Sequence, residues 1–344
     1  MRRYLLFYLS AVFIFCAFLL GGIVWMGHAD QQNEIPFDQE ITVLSTIPQD
    51  QAALLSSAYQ RLYHIKVNII NLTEEELLTR LEPSRSELVA DILLAPSPTL
   101  EKAIRTDTLA SIYTEETGLV PYQLKNRDGL WVGIWYDPIV IGLNRDFMVK
   151  LSPVPQDWED IVRPNELRVT MTDFLMADAS AHFLFTLITE HGEKDTYEWL
   201  KNLHPNIVSY AKSLSTPSSM IGIGEADAAI TLQSEAVRYI HDGFPIAIVH
   251  PKKGTAYCLT GCAIFNNSRS KDVAIEFQRW LLTEEVQMIL QEQNFFFVPT
   301  NPSLPSHNAF TYKSEILWET NPLLTKEEKY HLVDTWVQEI RLAK

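Results

Sequence analysis

Beyond residue 40 the chain alternates β-rich runs with segments of helical periodicity, and this alternation constrains the fold more than any other feature. Residues 41–44, 66–70 and 89–94 form the β-rich runs. Between them, residues 49–63 carry apolar side chains at helical spacing, and Thr73 precedes three acids, as at a helix N-terminus. Because parallel strands need helical crossovers, this order predicts an α/β fold with a parallel sheet.

A second α/β unit is predicted between residues 139 and 249. Its expected strands cover 139–143, 168–171, 228–232 and 245–249, and its expected helices cover 181–191 and 196–203. Further along, a long amphipathic helix is expected over 271–290, with Thr283 opening a second set of turns. Residues 301–310 are proline-rich and predict irregular structure, whereas 326–342 predicts a helix that packs back on the body.

An uncharged, mostly apolar run occupies residues 4–26, directly after Arg2 and Arg3. About 20 apolar residues can span a bilayer as a helix, and flanking positive charge favours the cytoplasmic side. We therefore expect residues 1–29 to act either as a retained membrane anchor or as a cleaved signal peptide. In both cases we expect the body of the chain to lie outside the cytoplasm.

Charge and motif content exclude several classes of function. A formal net charge of −15 argues against nucleic-acid binding, which requires a concentrated basic surface. The chain contains no Gly-x-Ser-x-Gly, His-Glu-x-x-His or Gly-x-x-x-x-Gly-Lys motif, so neither an enzyme nor a cofactor is predicted. Cys258 and Cys262 are expected in one strand or a tight strand pair, as buried residues unless Thr260 and Gly261 turn sharply enough for a disulfide.

Seven segments in a fixed order give a specific resemblance. They are ITVLSTIPQDQAALLSSAYQRLYHIKVNII, ELVADILLAPSP, GLWVGIWYDPIVIGLNRD, PQDWEDIVRP, IGIGEADAAI, FPIAIVHPKKGTAY and VAIEFQRWLLTEEVQMIL. Their order resembles the periplasmic solute-binding proteins of ABC transporters, in the branch of iron(III)-, phosphonate- and hexose-phosphate-binding and phosphoglycerate-sensing proteins. The resemblance covers nearly the whole body of the chain.

The resemblance implies a type II two-lobe α/β fold that binds a small molecule between its lobes. Lobe 1 is expected over 38–137 and 250–300, lobe 2 over 138–249, and a C-terminal extension over 301–344. Ligand contacts on both lobes favour the closed state. The implied partner is an ABC permease or, alternatively, a sensor histidine kinase. The body is expected to be monomeric, and residues 1–29 attach it to the membrane if they are retained.

Candidate ligand-binding residues lie at the turns from strand to helix, where α/β sheets bind ligands. The hydroxyl-bearing candidates are Ser45, Thr46, Ser97, Ser180, Ser215 and Thr216. Thr216 is expected as an N-cap, with Pro217 at the first helical position. Hydroxyls at helix N-termini suit a phosphate, phosphonate or related anion, although each could instead cap only its own helix.

Other candidates concern the cleft wall and the alternative ligand. Among the aromatic residues of the crossing segment, Tyr136 is expected in the cleft wall. In iron(III)-binding relatives a pair of tyrosines follows the Gly-Glu motif, but here Ser234 and Glu235 take that place, so an iron site is weakly indicated. Both residues are kept as ligand candidates. The overall acidity opposes anion capture unless Lys212, Lys252 and Lys253 or the helix N-termini create a local positive field.

Overall fold

One mixed sheet organises the computed structural model, which describes residues 39–82, 90–163, 167–312, 315–319 and 324–343. All of these residues except Gln39 belong to one compact unit, Glu40–Lys344. The expected leader 1–29 and its apolar run fall outside the described residues. Within the described ranges, no helix combines the length and apolarity needed to cross a membrane.

The sheet contains ten strands in the order β2-β1-β3-β9-β4-β7-β5-β6, with β8 and β10 also paired to β4. The strands are β1 Gln39–Ser45, β2 Ile65–Asn71, β3 Ile92–Pro96, β4 Val132–Asn144, β5 Val169–Thr172, β6 Ile207–Ala211, β7 Ala228–Leu232, β8 Ile246–Val249, β9 Tyr257–Ile264 and β10 Val298–Pro299. The neighbours β1 and β3 are parallel, as the alternating pattern predicts, and so are β5, β6 and β7.

The described residues form thirteen α-helices. They are α1 Gln49–Tyr63, α2 Glu74–Arg80, α3 Ser97–Ile104, α4 Glu115–Leu119, α5 Arg145–Met148, α6 Asp178–His191, α7 Glu193–Leu203, α8 Thr216–Gly222, α9 Gln233–His241, α10 Lys271–Leu281, α11 Glu284–Glu292, α12 Pro305–Phe310 and α13 Lys326–Trp336. Short 3-10 turns cover Tyr122–Leu124, Trp158–Val162 and His204–Asn206.

Local sequence signals account for the first helices. The apolar spacing of α1 buries Ala52, Leu55 and Tyr59, and the helix ends at His64 in the left-handed conformation. Thr73 caps α2 through a reciprocal capping box with Glu76, whose carboxylate accepts the Thr73 backbone N–H. These two helices confirm the sequence-based prediction.

Strand β4 is the structural link between the two halves of the sheet. All 13 of its residues are buried, and it extends well beyond the predicted strand 139–143. Its first half pairs with β9 and β10, and its second half pairs with β7 and β8. Because it is covered along its whole length, it lacks the polar alternation that marks a strand's limits, which explains the short prediction.

Two large hydrophobic cores form around the two halves of β4, and a small third cluster lies within residues 221–246. The first core contains residues from 41–136 together with 259–298. The second contains residues from 139–256 and then, near the C-terminus, Trp318, Leu332, Val333, Trp336 and Ile340. The last helix continues past α13 as a π-helical turn, Val337–Arg341, and the buried residues of both join the second core.

In the C-terminal half, the structure can be compared with three expectations from the sequence. The helix predicted over 271–290 is two helices, because Thr283 is extended and its hydroxyl bonds the Trp280 carbonyl at 2.7 Å. The segment 301–310, expected to be irregular, contains α12, which begins with Pro305 in a position that needs no N–H donor. Cys258 and Cys262 lie on one strand, β9, and are both free thiols.

Candidate functional site

Two sets of strand ends face each other along β4. Strands β1 and β3 run in the same direction as β4, since both β3 and β4 are antiparallel to β9. Strands β5, β6 and β7 run against β4. The carboxyl ends of the two groups therefore point toward one another from the two cores, and we call this region the strand-end site. Ligands of open α/β sheets bind at such carboxyl ends.

Three predicted residues lie at the strand ends of the first core. Ser45 is fully buried, and its hydroxyl accepts the Ile47 N–H at 3.3 Å, so it holds its own turn. Thr46 is partly buried, and its hydroxyl oxygen is enclosed without a hydrogen-bond partner. Ser97 is partly exposed as the first residue of α3. Ser97 is therefore the partly exposed hydroxyl residue on this side, whereas the Thr46 hydroxyl is enclosed and unpartnered.

On the opposite side, Ser180 is engaged within its own turn. Its hydroxyl donates to the carbonyls of Asp173 and Ala177, at 2.9 and 2.7 Å, and the residue is buried. These bonds match the alternative in which the hydroxyl caps a local turn. Its role as a ligand contact stays a prediction.

A cluster of hydroxyls follows β6. The Ser213 hydroxyl lies 3.2 Å from that of Ser215 and 2.7 Å from that of Thr216. The predicted capping is wrong by one position: Ser215 is the N-cap of α8, without a side-chain cap, and Thr216 begins the helix with Pro217 second. The cause is that the Thr216 hydroxyl bonds Ser213 rather than a helix N–H. The sequence analysis missed Ser213, although three hydroxyl residues within four positions were a readable signal.

A buried carboxylate, also missed by the sequence analysis, holds Ser234 in place. Asp137, in the middle of β4, accepts the Ser234 N–H at 2.9 Å and its hydroxyl at 2.5 Å. The Asp137 carboxylate therefore lies at the N-terminus of α9, the end of a helix that favours negative charge. Burial raises the pKa of Asp137 to about 7, despite the two hydrogen bonds from Ser234 that favour the charged form. Its only sequence signal was an acid between two stretches of strand.

The remaining two predicted residues lie in different surroundings. Glu235 forms an ion pair with Arg238, one turn further along α9, and its side chain is about one quarter exposed. Tyr136 is only 3% exposed and packs edge-on against Tyr257, with ring centroids 6.1 Å apart. Because side chains alternate along a strand, Tyr136 points to the face of β4 opposite Asp137. Burial raises its pKa.

Of the three lysines considered for a local positive field, two bond acidic or amide side chains and one is exposed near the strand ends. Lys252 bonds Gln156 and Lys253 pairs with Glu159, on the side of the second core near Trp158. Lys212, by contrast, is exposed directly after β6. Of the three, Lys212 is the one adjacent to the hydroxyl cluster.

Comparison with known families decides the class of protein. The model of the family described as bacterial extracellular solute-binding protein matches residues 55–320. The chain belongs to this family. Its members are transport proteins rather than enzymes, bind small solutes outside the cytoplasm and deliver them to ABC permeases. The resemblance of the seven segments to periplasmic solute-binding proteins is thereby confirmed.

Similar proteins include several with named ligands. An uncharacterized protein of Haemophilus influenzae is 28% identical over 313 residues, which covers 84% of this chain and 87% of the relative. Iron uptake protein A1 of Synechocystis is 24% identical, covering 77% and 78%. The Fe(3+)-binding periplasmic protein of Serratia marcescens is also 24% identical, covering 67% and 70%.

Solved structures show the same fold. The periplasmic binding protein AfuA of Actinobacillus pleuropneumoniae, with fructose-6-phosphate bound, gives a TM-score of 0.67 at 21% identity and covers 89% of this chain and all of its own. Iron-bound HitA of Pseudomonas aeruginosa gives 0.68 at 19% identity, covering 86% and 98%. The predicted α/β two-lobe periplasmic-binding-protein fold is therefore confirmed.

Proposed function

We propose that this protein captures a small phosphorylated or phosphonate solute, or a related anion, at the strand-end site and delivers it to an ABC permease. In this proposal, lobe 1 comprises 38–137 and 250–300, lobe 2 comprises 138–249, and the extension 301–344 adds its helix to lobe 2. The body acts as a monomer, which residues 1–29 attach to the membrane if they are retained.

The observation that carries the proposal is the hydroxyl cluster of Ser213, Ser215 and Thr216. The Ser213 hydroxyl lies within hydrogen-bonding distance of the other two, and all three can turn their donors toward one anion, because hydroxyl hydrogens rotate freely. Hydrogen bonds to a charged partner are stronger than neutral ones, contributing about 1.5–3 kcal/mol each. The exposed Lys212 adjoins the cluster and adds a positive charge.

Residues on both sides of the site suit a phosphate ester whose organic part carries hydroxyl groups. Ser97 lies at the strand ends of the other core, where it can bond the far side of a ligand, and rotation of the Thr46 side chain would let its enclosed, unpartnered hydroxyl do the same. The partly exposed Glu235 carboxylate can accept hydrogen bonds from sugar hydroxyls. A phosphorylated sugar carries both kinds of group, and the similar structure AfuA binds fructose-6-phosphate. We therefore favour a hexose phosphate within the proposed class.

The test is isothermal titration of the purified protein with fructose-6-phosphate, inorganic phosphate, a simple alkylphosphonate and ferric citrate. Saturable binding of a phosphate ester or phosphonate is expected. Thr216→Val and Ser215→Ala should each weaken it about tenfold, the effect of one lost hydrogen bond to a charged group. The control is Ser57→Ala, an exposed hydroxyl on α1 that bonds the Leu54 carbonyl. Unchanged affinity in both test variants, or no phosphate-dependent binding, refutes the proposal.

Iron(III) is the second candidate, because curated relatives in Synechocystis and Serratia are named for iron. The residues at the matching position offer little to a metal: Ser234 bonds Asp137, and Glu235 pairs with Arg238. In the part of the chain that the structure describes, no group of three or more His, Cys, Asp or Glu residues could hold a metal ion. Heat released by ferric citrate alone in the titration would favour this candidate.

Signalling is the other role within the class. A ligand sensor and a transport protein can share the same site and differ in what reads the closed state: a histidine kinase or a permease. Co-purification of the ligand-loaded protein with a membrane permease would support transport, and co-purification with a kinase would support sensing.

A further inference from the structure

A second cavity lies in the second core, away from the strand-end site. It has a volume of about 460 Å³ and is bounded by the C-terminal end of α6, the start of α7 and the segment around Trp318. Helix α6 has 14 residues and begins beside the strand ends at Asp178, so its far end is about 20 Å away. The cavity is within the size range of small-molecule sites.

Three indole rings form much of the cavity wall. Trp158, Trp199 and Trp318 donate their ring N–H groups to backbone carbonyls at 2.9, 3.2 and 3.1 Å. The ring centroid of Trp158 lies 6.3 Å from that of Trp199 and 6.5 Å from that of Trp318. Since the N–H groups are already bonded, the ring surface that reaches the cavity is aromatic carbon; Trp199 is partly exposed, and Trp158 and Trp318 are each 4% exposed. Such surface attracts cations through the ring quadrupole, and tryptophan does so best.

Carboxylates line the same cavity as these rings. Glu159, Glu190 and Asp195 all line the cavity, and Lys253 neutralises the first of them through an ion pair. Three carboxylates and one ammonium leave two net negative charges beside the His191 imidazole, which also lines the cavity. Across the described residues, neither Glu190 nor Asp195 has an ion-pair partner. The cavity is thus both aromatic and anionic.

A buried hydroxyl adds a directional group. Thr196 lines the cavity, is only 2% exposed, and its hydroxyl oxygen has no hydrogen-bond partner in the structure. A buried polar atom without a partner is costly, so a ligand that bonds it gains that interaction in full. The hydroxyl oxygen accepts hydrogen bonds, and an ammonium group supplies donors only.

We propose that this cavity is a second binding site of the protein, for an organic amine in its ammonium form that carries an apolar body. The indole rings hold the apolar body and the charge, Glu190 and Asp195 provide the counter-charge, and Thr196 accepts one ammonium N–H. This site is separate from the proposed anion site and binds a ligand of opposite charge.

The probe is 2-phenylethylammonium, compared with 2-phenylethanol, which has the same body and no charge. Isothermal titration of the purified protein at low ionic strength should show saturable binding of the amine and at least tenfold weaker binding of the alcohol. Equal binding of the two compounds, or no binding of the amine, overturns the proposal. So does competition between the amine and a phosphate ester, because that would place the amine at the strand ends.

Variants locate the bound amine. Glu190→Gln combined with Asp195→Asn should weaken amine binding at least tenfold, whereas Glu198→Gln, an exposed carboxylate on α7 outside the cavity, should leave it within twofold. Thr196→Val keeps the shape of the side chain and should weaken amine binding several-fold without lowering the melting temperature. Equal affinities in the double variant and the Glu198 control would overturn the assignment.

Discussion

The carboxylate of Asp137 should make the protein less stable as the pH rises, and Asp137→Asn should remove that effect. Burial raises the pKa of this carboxyl from an ordinary value of 3.8 to about 7. The folded state therefore binds a proton that the unfolded state has already released. Stability contributed by this proton is fully present below pH 4 and is lost as the pH rises through 7.

The magnitude follows from the size of the shift. A difference of about three pKa units corresponds to about 4 kcal/mol, an upper limit for the stability lost between pH 4 and pH 8. Asparagine has the same shape, can still accept the Ser234 N–H and carries no charge at any pH. Asp137→Asn should therefore match the wild type near pH 4 and exceed its free energy of unfolding by up to about 4 kcal/mol at pH 8.

The assay is urea unfolding of both proteins at pH 4.5, 6, 7 and 8, read as the difference between them. Burial lowers the pKa of His182 to about 4, which makes both proteins less stable as the pH falls from 6.5 to 4. Because the histidine is present in both, its effect cancels in the difference. A difference that stays flat, or a wild type that gains stability over the variant as the pH rises, would refute the reasoning. The latter result would mean that the N-terminus of α9 outweighs burial.

Three further predictions concern packing and reactivity. Trp336→Ala should lower the free energy of unfolding, measured in urea, by about 3–5 kcal/mol, because this fully buried side chain fills the second core. Deletion of residues 326–344 should lower the melting temperature. Unchanged stability would mean that the helix is not docked. Gly254→Ala should lower the melting temperature by several degrees, because φ is +113° and a Cβ would lie 2.4 Å from Nε1 of Trp318; an unchanged melting temperature would contradict the packing described. Burial raises the pKa of Cys262 to about 12, so its labelling by iodoacetamide at pH 8, followed by peptide mass, should require denaturant, and rapid labelling of the native protein would contradict this.

Local sequence signals predicted the elements whose limits are set by local chemistry. Residues 49–63 match α1 and residues 228–232 match β7, because caps, turns and apolar spacing mark their ends. The limits of β4 depend instead on what covers it in three dimensions. The break at Thr283 likewise depends on a side chain that bonds the preceding turn rather than continuing the helix.

For the candidate site, the sequence predicted positions at the strand ends but not the bonds between distant residues. Strand-to-helix turns place Thr46, Ser215 and Thr216 at the strand ends, which follows from α/β topology alone. The role of Asp137 could not be predicted, because its partner Ser234 is 97 positions away and only the sheet register brings the two together. Which hydroxyls are free for a ligand also depends on bonds to the backbone that periodicity does not reveal.

The return of the C-terminal helix to the second core has a consequence for the order of folding. The first core requires Val298 and the second requires Ile340, so both contain segments distant in the chain. The first core therefore stays incomplete until Val298 has been synthesised, and the second until Ile340 has been. Residues 259–298 of the first core lie between the segments of the second, so no contiguous fragment corresponds to one folded half.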